Sequence, residues 1–144
     1  MNQKKMDRYF MKVAQLTADL SHALRKKVGA VLVKDNRIVS VGFNDPPKGF
    51  PNDCEDVMPD GSLITKPIVV HAEANALFWC AKTEIITCGS TLYLTLSPCA
   101  TCALGIIQSG VKRVVYLEEY RDLTGVEVLK KANIEVEHMK VSDL

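Results

Sequence analysis

Apolar positions along the chain follow two rhythms. Across residues 7–24, Tyr9, Phe10, Val13, Leu16, Thr17 and Leu20 recur at three- and four-residue intervals, which predicts an amphipathic helix. Residues 28–33 form a short apolar run. It breaks at Lys34-Asp35-Asn36-Arg37 and resumes over 38–43, so two β-rich runs about a polar turn predict a hairpin. Residues 72–80 read as a mostly apolar helix, and therefore as a buried one. Strands are expected at 91–96, 113–117 and 134–137, with helices at 102–109, stopped by Gly110, and at 124–132. Strand–helix–strand alternation implies right-handed parallel crossovers. The expected class is α/β: three α/β/α layers, with a five-stranded mixed sheet covered by helices on both faces.

Residues 44–67 break the rhythm. Pro46, Pro47, Pro51, Pro59 and Pro67 fall here together with Gly49 and Gly61, a composition that punctuates structure and does not propagate it. A loop of this length is expected to be an ordered substrate and regulatory loop, inside one domain spanning residues 1–144. No apolar run approaches a membrane span. The charged start, residues 1–7, is followed by no apolar h-region, so no secretory signal is read and the cytoplasm is the expected compartment. The net charge of +1 argues against a polyanionic partner such as nucleic acid. A small anionic substrate, which needs only two or three cations, remains compatible.

Candidate chemistry comes from the cysteines and one histidine. Five cysteines with no secretory signal argue against a disulfide framework. Cys80 and Cys88, in or beside apolar segments, are expected to be buried inert thiols. Cys99 and Cys102 differ, because Cys-x-x-Cys spacing at a helix start lets two thiolates share one metal, and the free N–H groups there favour thiolates. His71 supplies a third ligand, and three protein ligands mark a catalytic zinc that keeps one open position. Pro98 has no N–H to leave unpaired at a helix start. Glu73, two residues past His71, is too near to chelate the same ion easily and is better placed to carry protons. Zinc makes water acidic enough to act near pH 7. A redox pair or half of a structural zinc site would explain Cys99 and Cys102 alone, but Cys54, Cys80 and Cys88 show no second paired spacing. A zinc-stabilised binding module would leave Glu73 without a task. Together, His71-Ala72-Glu73 and Pro98 through Cys102 match the paired motif of zinc nucleobase deaminases.

These segments, with 28–31, Gly42-Phe43-Asn44, 106–114 and Tyr9-Phe10-Met11, resemble the deoxycytidylate deaminase family over about residues 7–137. The resemblance implies hydrolysis of dCMP to dUMP and ammonia, feeding thymidylate synthesis. It also implies zinc held by His71, Cys99 and Cys102, with Glu73 as the catalytic proton shuttle. Asn44 would bind the sugar, with Ala72, Arg25, Tyr120 and Arg121 completing the substrate site. The phosphate is expected on a basic cluster drawn from Arg25, Lys26, Lys27 and Arg121. The resemblance further implies a homo-oligomer, with a hexamer favoured, and dCTP and dTTP as effectors. One departure stands out: the family commonly has Gly-Tyr-Asn-Gly where this chain has Gly42-Phe43-Asn44-Asp45. Asp45, with Lys26, is therefore expected at a regulatory contact, either repelling a triphosphate or holding its Mg²⁺. Rival readings are a tRNA adenosine deaminase, which has a shorter link before its His-Ala-Glu, and a free-nucleoside cytidine deaminase, which usually carries Cys at the position of His71.

Overall fold

The computed structural model describes residues 2–144; Met1, the first residue of the predicted domain span and of the charged start, lies outside the described residues. The elements are α1 (Gln3–Ala18), β1 (Gly29–Lys34), β2 (Arg37–Phe43), β3 (Glu55–Val57), β4 (Leu63–Thr65), α2 (Ala72–Lys82), β5 (Thr91–Leu96), α3 (Ala100–Gln108), β6 (Arg113–Glu118), α4 (Thr124–Lys131) and β7 (Glu135–His138), followed by a 3₁₀ turn at Val141–Asp143.

Five strands form one mixed sheet in the order β2-β1-β5-β6-β7. The β1–β2 and β1–β5 pairs are antiparallel, and β5–β6 and β6–β7 are parallel. The β1–β2 hairpin turns at Asp35 and Asn36, both with positive φ (52° and 58°). This is the two-residue turn whose twist matches antiparallel strands and whose conformation Asp and Asn tolerate. Central β5 and β6 are apolar on both sides because helices cover both faces. On one face Ala72, Ala76, Leu77, Ala103, Ile106 and Leu129, from α2, α3 and α4, pack on Leu32, Leu92, Leu94 and Val114. On the other face α1 lays Phe10, Met11 and Ala14 on Val31, Tyr93 and Val115.

Expectations for α1, α2 and Cys88 are corrected. Helix α1 starts earlier than residue 7, because the Asn2 side chain accepts hydrogen bonds from the N–H groups of Lys4 and Lys5, and it ends at Ala18 instead of Leu24. Its buried face is Asp7, Phe10, Met11, Ala14, Thr17 and Ala18, while Tyr9, Leu16 and Leu20 are exposed. Long-range contacts selected the stripe that carries Asp7, whose carboxylate meets Arg113 across the sheet. Helix α2 is buried only on its inner face, since Phe78 and Trp79 point outward. Cys88 is exposed, whereas Cys80 and Cys54 are buried. The 44–67 segment also contains order of its own: β3 and β4 pair as a small antiparallel sheet, and Asp45 bridges to Val70. Among the described residues no helix is long and apolar enough to cross a membrane.

Candidate active site

His71 and Cys99 occupy the N-caps of α2 and α3, and neither side chain makes a capping hydrogen bond. An N-cap is ordinarily Ser, Thr, Asp or Asn, whose oxygen accepts from the helix start. Here an imidazole and a thiol stand at those positions and turn toward each other. Cys102 lies in the first turn of α3. Nδ1 of His71 is 3.7 Å from Sγ of Cys99 and 3.3 Å from Sγ of Cys102. All three ligand atoms lie within 4.8 Å of one another. Tetrahedral zinc, with bonds of about 2.3 Å to sulfur and about 2.0–2.1 Å to nitrogen, requires N···S separations of about 3.6 Å. The donor set fits that ion. Burial raises the pKa of the Cys102 thiol, and the neighbouring Glu73 and Cys99 add to the rise. A divalent cation among these groups reverses that penalty.

Two glycines let the helix starts converge. A Cβ on Gly42 of β2 would lie 2.3 Å from the Ala72 carbonyl oxygen, and one on Gly125 of α4 would lie 2.1 Å from that of Pro98. Any larger residue would push α2 or the Pro98-Cys99 corner away, and the ligand geometry with it.

Glu73 is the second residue of α2 and only 4% exposed. Burial raises its carboxyl pKa against the opposing pull of a backbone N–H, His71 and Cys102. It faces a cleft of about 600 Å³, a size suited to a small ligand. His71, Ala72, Glu73 and Cys99 line this cleft, as do Arg25, Lys26, Asn44, Tyr120 and Arg121. The fold thus brings together residues as far apart in sequence as Arg25 and Arg121. Lys27 is exposed and does not line the cleft.

The rim residues differ in how far they are already engaged. Asn44 Nδ2 donates to the Lys26 carbonyl and Oδ1 accepts from the Val28 N–H, both at 2.8 Å. Lys26 is ion-paired with Glu118. Arg25 donates to Thr65 Oγ1 at 3.3 Å, and the Arg121 guanidinium lies 5.7 Å from the centre of the Tyr120 ring. Among the described residues neither arginine is in an ion pair, so both are available to an anion. Asp45 is placed differently from expectation. It is 8% exposed, does not line the cleft, and directs its carboxylate at His22 and Cys54. Its carboxylate is thus engaged inside the protein and not directed at the cleft.

Sequence reasoning missed Glu55, Ser97 and Glu118, which also line the cleft. Glu55 accepts from the N–H groups of Leu24 and Arg25, and Ser97 Oγ accepts from the Tyr120 N–H at 2.6 Å. A single polar residue at the end of a strand, as Glu55 in β3 and Glu118 in β6, or in a loop, as Ser97, carries no periodic signal. Only Ser97, directly before Pro98, stood near a motif.

Comparisons with known proteins agree with this geometry. Residues 4–118 match the family model for the cytidine and deoxycytidylate deaminase zinc-binding region. The chain is 40% identical over 129 residues to the deoxycytidylate deaminase of a Mycobacterium phage, covering 83% of this chain and 99% of that protein. It is 41% identical over 123 residues to the human deoxycytidylate deaminase, covering 79% and 66%. Against the Saccharomyces cerevisiae deoxycytidylate deaminase it is 34% identical but spans only 46% of that longer protein. The crystal structure of the dCMP deaminase from cyanophage S-TIM5, in complex with dCMP and dUMP, superposes with a TM-score of 0.87 at 44% identity, covering 96% of this chain and 99% of that one. On the family match, the identities and the shared fold, this chain belongs to the zinc-binding cytidine and deoxycytidylate deaminase family.

Proposed function

We propose that this protein hydrolyses dCMP to dUMP and ammonia, with zinc held by His71, Cys99 and Cys102 and with Glu73 as the proton carrier. One observation carries the reading: a buried carboxylate stands beside a His/Cys/Cys donor set, in a cleft that also presents two arginines which, among the described residues, are in no ion pair. The phage complex with dCMP and dUMP supports the same substrate. Bound zinc supplies the Lewis acidity that lets water act as a nucleophile near neutral pH. Glu73 takes a proton from the water that attacks C4 of cytosine and delivers it to the ring nitrogen N3. It then assists departure of the amine as ammonia, so that water and dCMP balance against dUMP and ammonia. Arg25 and Arg121 are the guanidinium groups that meet the 5′-phosphate. Asn44 orders the wall on which the sugar rests.

The test is ammonia release from dCMP, deoxycytidine, cytidine and tRNA in parallel, with metal analysis. The expected result is dCMP turnover and about one zinc per chain, with zinc and activity both lost in the Cys99→Ala/Cys102→Ala protein. Full zinc in that variant, or preference for tRNA, overturns the reading. We further propose self-association in the cytoplasm through the outer face of α2 and α3. There Phe78, Trp79 and Leu104 are exposed, and an apolar groove of about 360 Å³ runs between the two helices. Light scattering should show an oligomer that Trp79→Asp weakens; a monomeric parent at working concentration contradicts it.

A further inference from the structure

Asp45 sits at a junction of three segments. Its backbone pairs with Val70, the residue before His71: the Val70 N–H donates to the Asp45 carbonyl at 2.9 Å, and the Asp45 N–H donates back at 3.3 Å. Its carboxylate reaches the opposite way, into the stretch between α1 and β1. Oδ1 accepts from the His22 N–H at 2.8 Å, and Oδ2 lies 2.7 Å from His22 Nδ1. The buried Cys54 thiol donates to Oδ1 at 3.5 Å, and burial followed by Asp45 itself pushes that thiol up to about 11, so it stays protonated as a donor. Neighbouring residues repeat the pattern. Ser21 Oγ donates to the Asn44 carbonyl, the Asn44 side chain spans Lys26 and Val28, and Glu55 accepts from Leu24 and Arg25. The stretch from Ser21 to Val28, which carries Arg25 and Lys26 onto the cleft rim, is thus clasped to the segment that leads into His71.

We propose that Asp45 is a positioning residue that fixes the reach between Arg25 on the rim and His71 and Glu73 in the cleft, and so selects a nucleotide bearing a 5′-phosphate over the corresponding nucleoside. This rests on the dCMP reading above. The physical ground is that a phosphate contact discriminates only if its cation is held at a set distance from the reacting ring, and loose segments lose that advantage. The clasp ties the rim to the backbone next to a metal-ligand residue through two part-buried contacts of the Asp45 carboxylate, with the His22 backbone N–H and with His22 Nδ1; hydrogen bonds to a charged group are the stronger class.

The experiment measures kcat/KM for dCMP and for deoxycytidine in the zinc-loaded parent, Asp45→Ala and Asp45→Asn. It is paired with hydrogen exchange of the amides at 21–28. The expected result is that the preference for dCMP falls about tenfold in Asp45→Ala, the scale of a lost charge-assisted hydrogen bond. The fall appears mainly as a raised KM for dCMP, and Asp45→Asn, which keeps the shape, falls less. The 21–28 amides exchange faster in both variants. An equal loss on both substrates would show that Asp45 merely supports the fold, and an unchanged preference would overturn the positioning role as well. A parent that does not distinguish dCMP from deoxycytidine overturns the phosphate reading itself. In that case unchanged exchange in the variants sinks the clasp and faster exchange sustains it.

Discussion

Two carboxylates lie almost equally deep on opposite faces of the sheet, Asp7 at 3% exposed and Glu73 at 4%, yet their chemistry is opposite. Asp7 accepts two hydrogen bonds from Arg113 (2.8 and 2.7 Å), one from the Tyr93 hydroxyl (2.6 Å) and one from Gln3 (2.8 Å). Burial works to raise its pKa, but these donors outweigh burial and the net value is lowered. Among the described residues Glu73 is in no ion pair, and burial holds its pKa up. The difference teaches that depth alone does not mark a reactive group. A buried carboxylate with a full set of donors is fixed as an anion and holds structure. One with no ion-pair partner among the described residues is left free to carry a proton for the ligand set beside it.

The largest expected effect separates the two at once. Glu73→Gln should lower dCMP turnover by about 10²–10⁴-fold, the usual share of a general acid–base group, while zinc content and Tm are retained because no charge partner is stranded. Near-normal turnover would remove Glu73 from the proton path. Asp7→Asn should do the reverse, leaving kcat almost intact well below Tm while unfolding measurements show a loss of about 2–3 kcal/mol. That lies at or below the low end of the roughly 3–5 kcal/mol typical of a broken buried pair, because Arg113 keeps Glu135 and Glu137. If Asp7→Asn were inactive at full stability, the division between the two faces would fail.

A pH series sharpens the same contrast. The folded pKa of Asp7 lies below its unfolded value of about 3.9, so its stabilisation is fully present above roughly pH 4 and is lost as pH falls through the folded value. The parent should therefore lose more stability below pH 4 than Asp7→Asn does, and parallel acid limbs in the two proteins would contradict the assignment. The smallest effect is expected for Tyr93→Phe. It removes one donor from Asp7 while Arg113 stays, for a loss of about 1 kcal/mol in denaturant unfolding.

The sequence by itself determined what is local. The Asp35-Asn36 turn, the apolar runs of β5 and β6, and the stop at Gly110 each follow from a few neighbouring residues and their allowed backbone angles. The donor pattern was readable for the same reason: His71 with Glu73, and Cys99 with Cys102, are each held by one helix start, so spacing along the chain stands in for geometry. Tertiary structure alone decided the rest. It chose the face of α1 that turns inward, because Asp7 finds Arg113 106 residues away. It paired β3 with β4 inside a Pro-rich stretch, and it turned Asp45 from the cleft toward His22 and Cys54. These outcomes depend on which distant groups meet once the sheet is assembled. A buried charge or hydrogen-bonding group must find its partner wherever the fold brings one, and periodicity along the chain carries no record of that meeting.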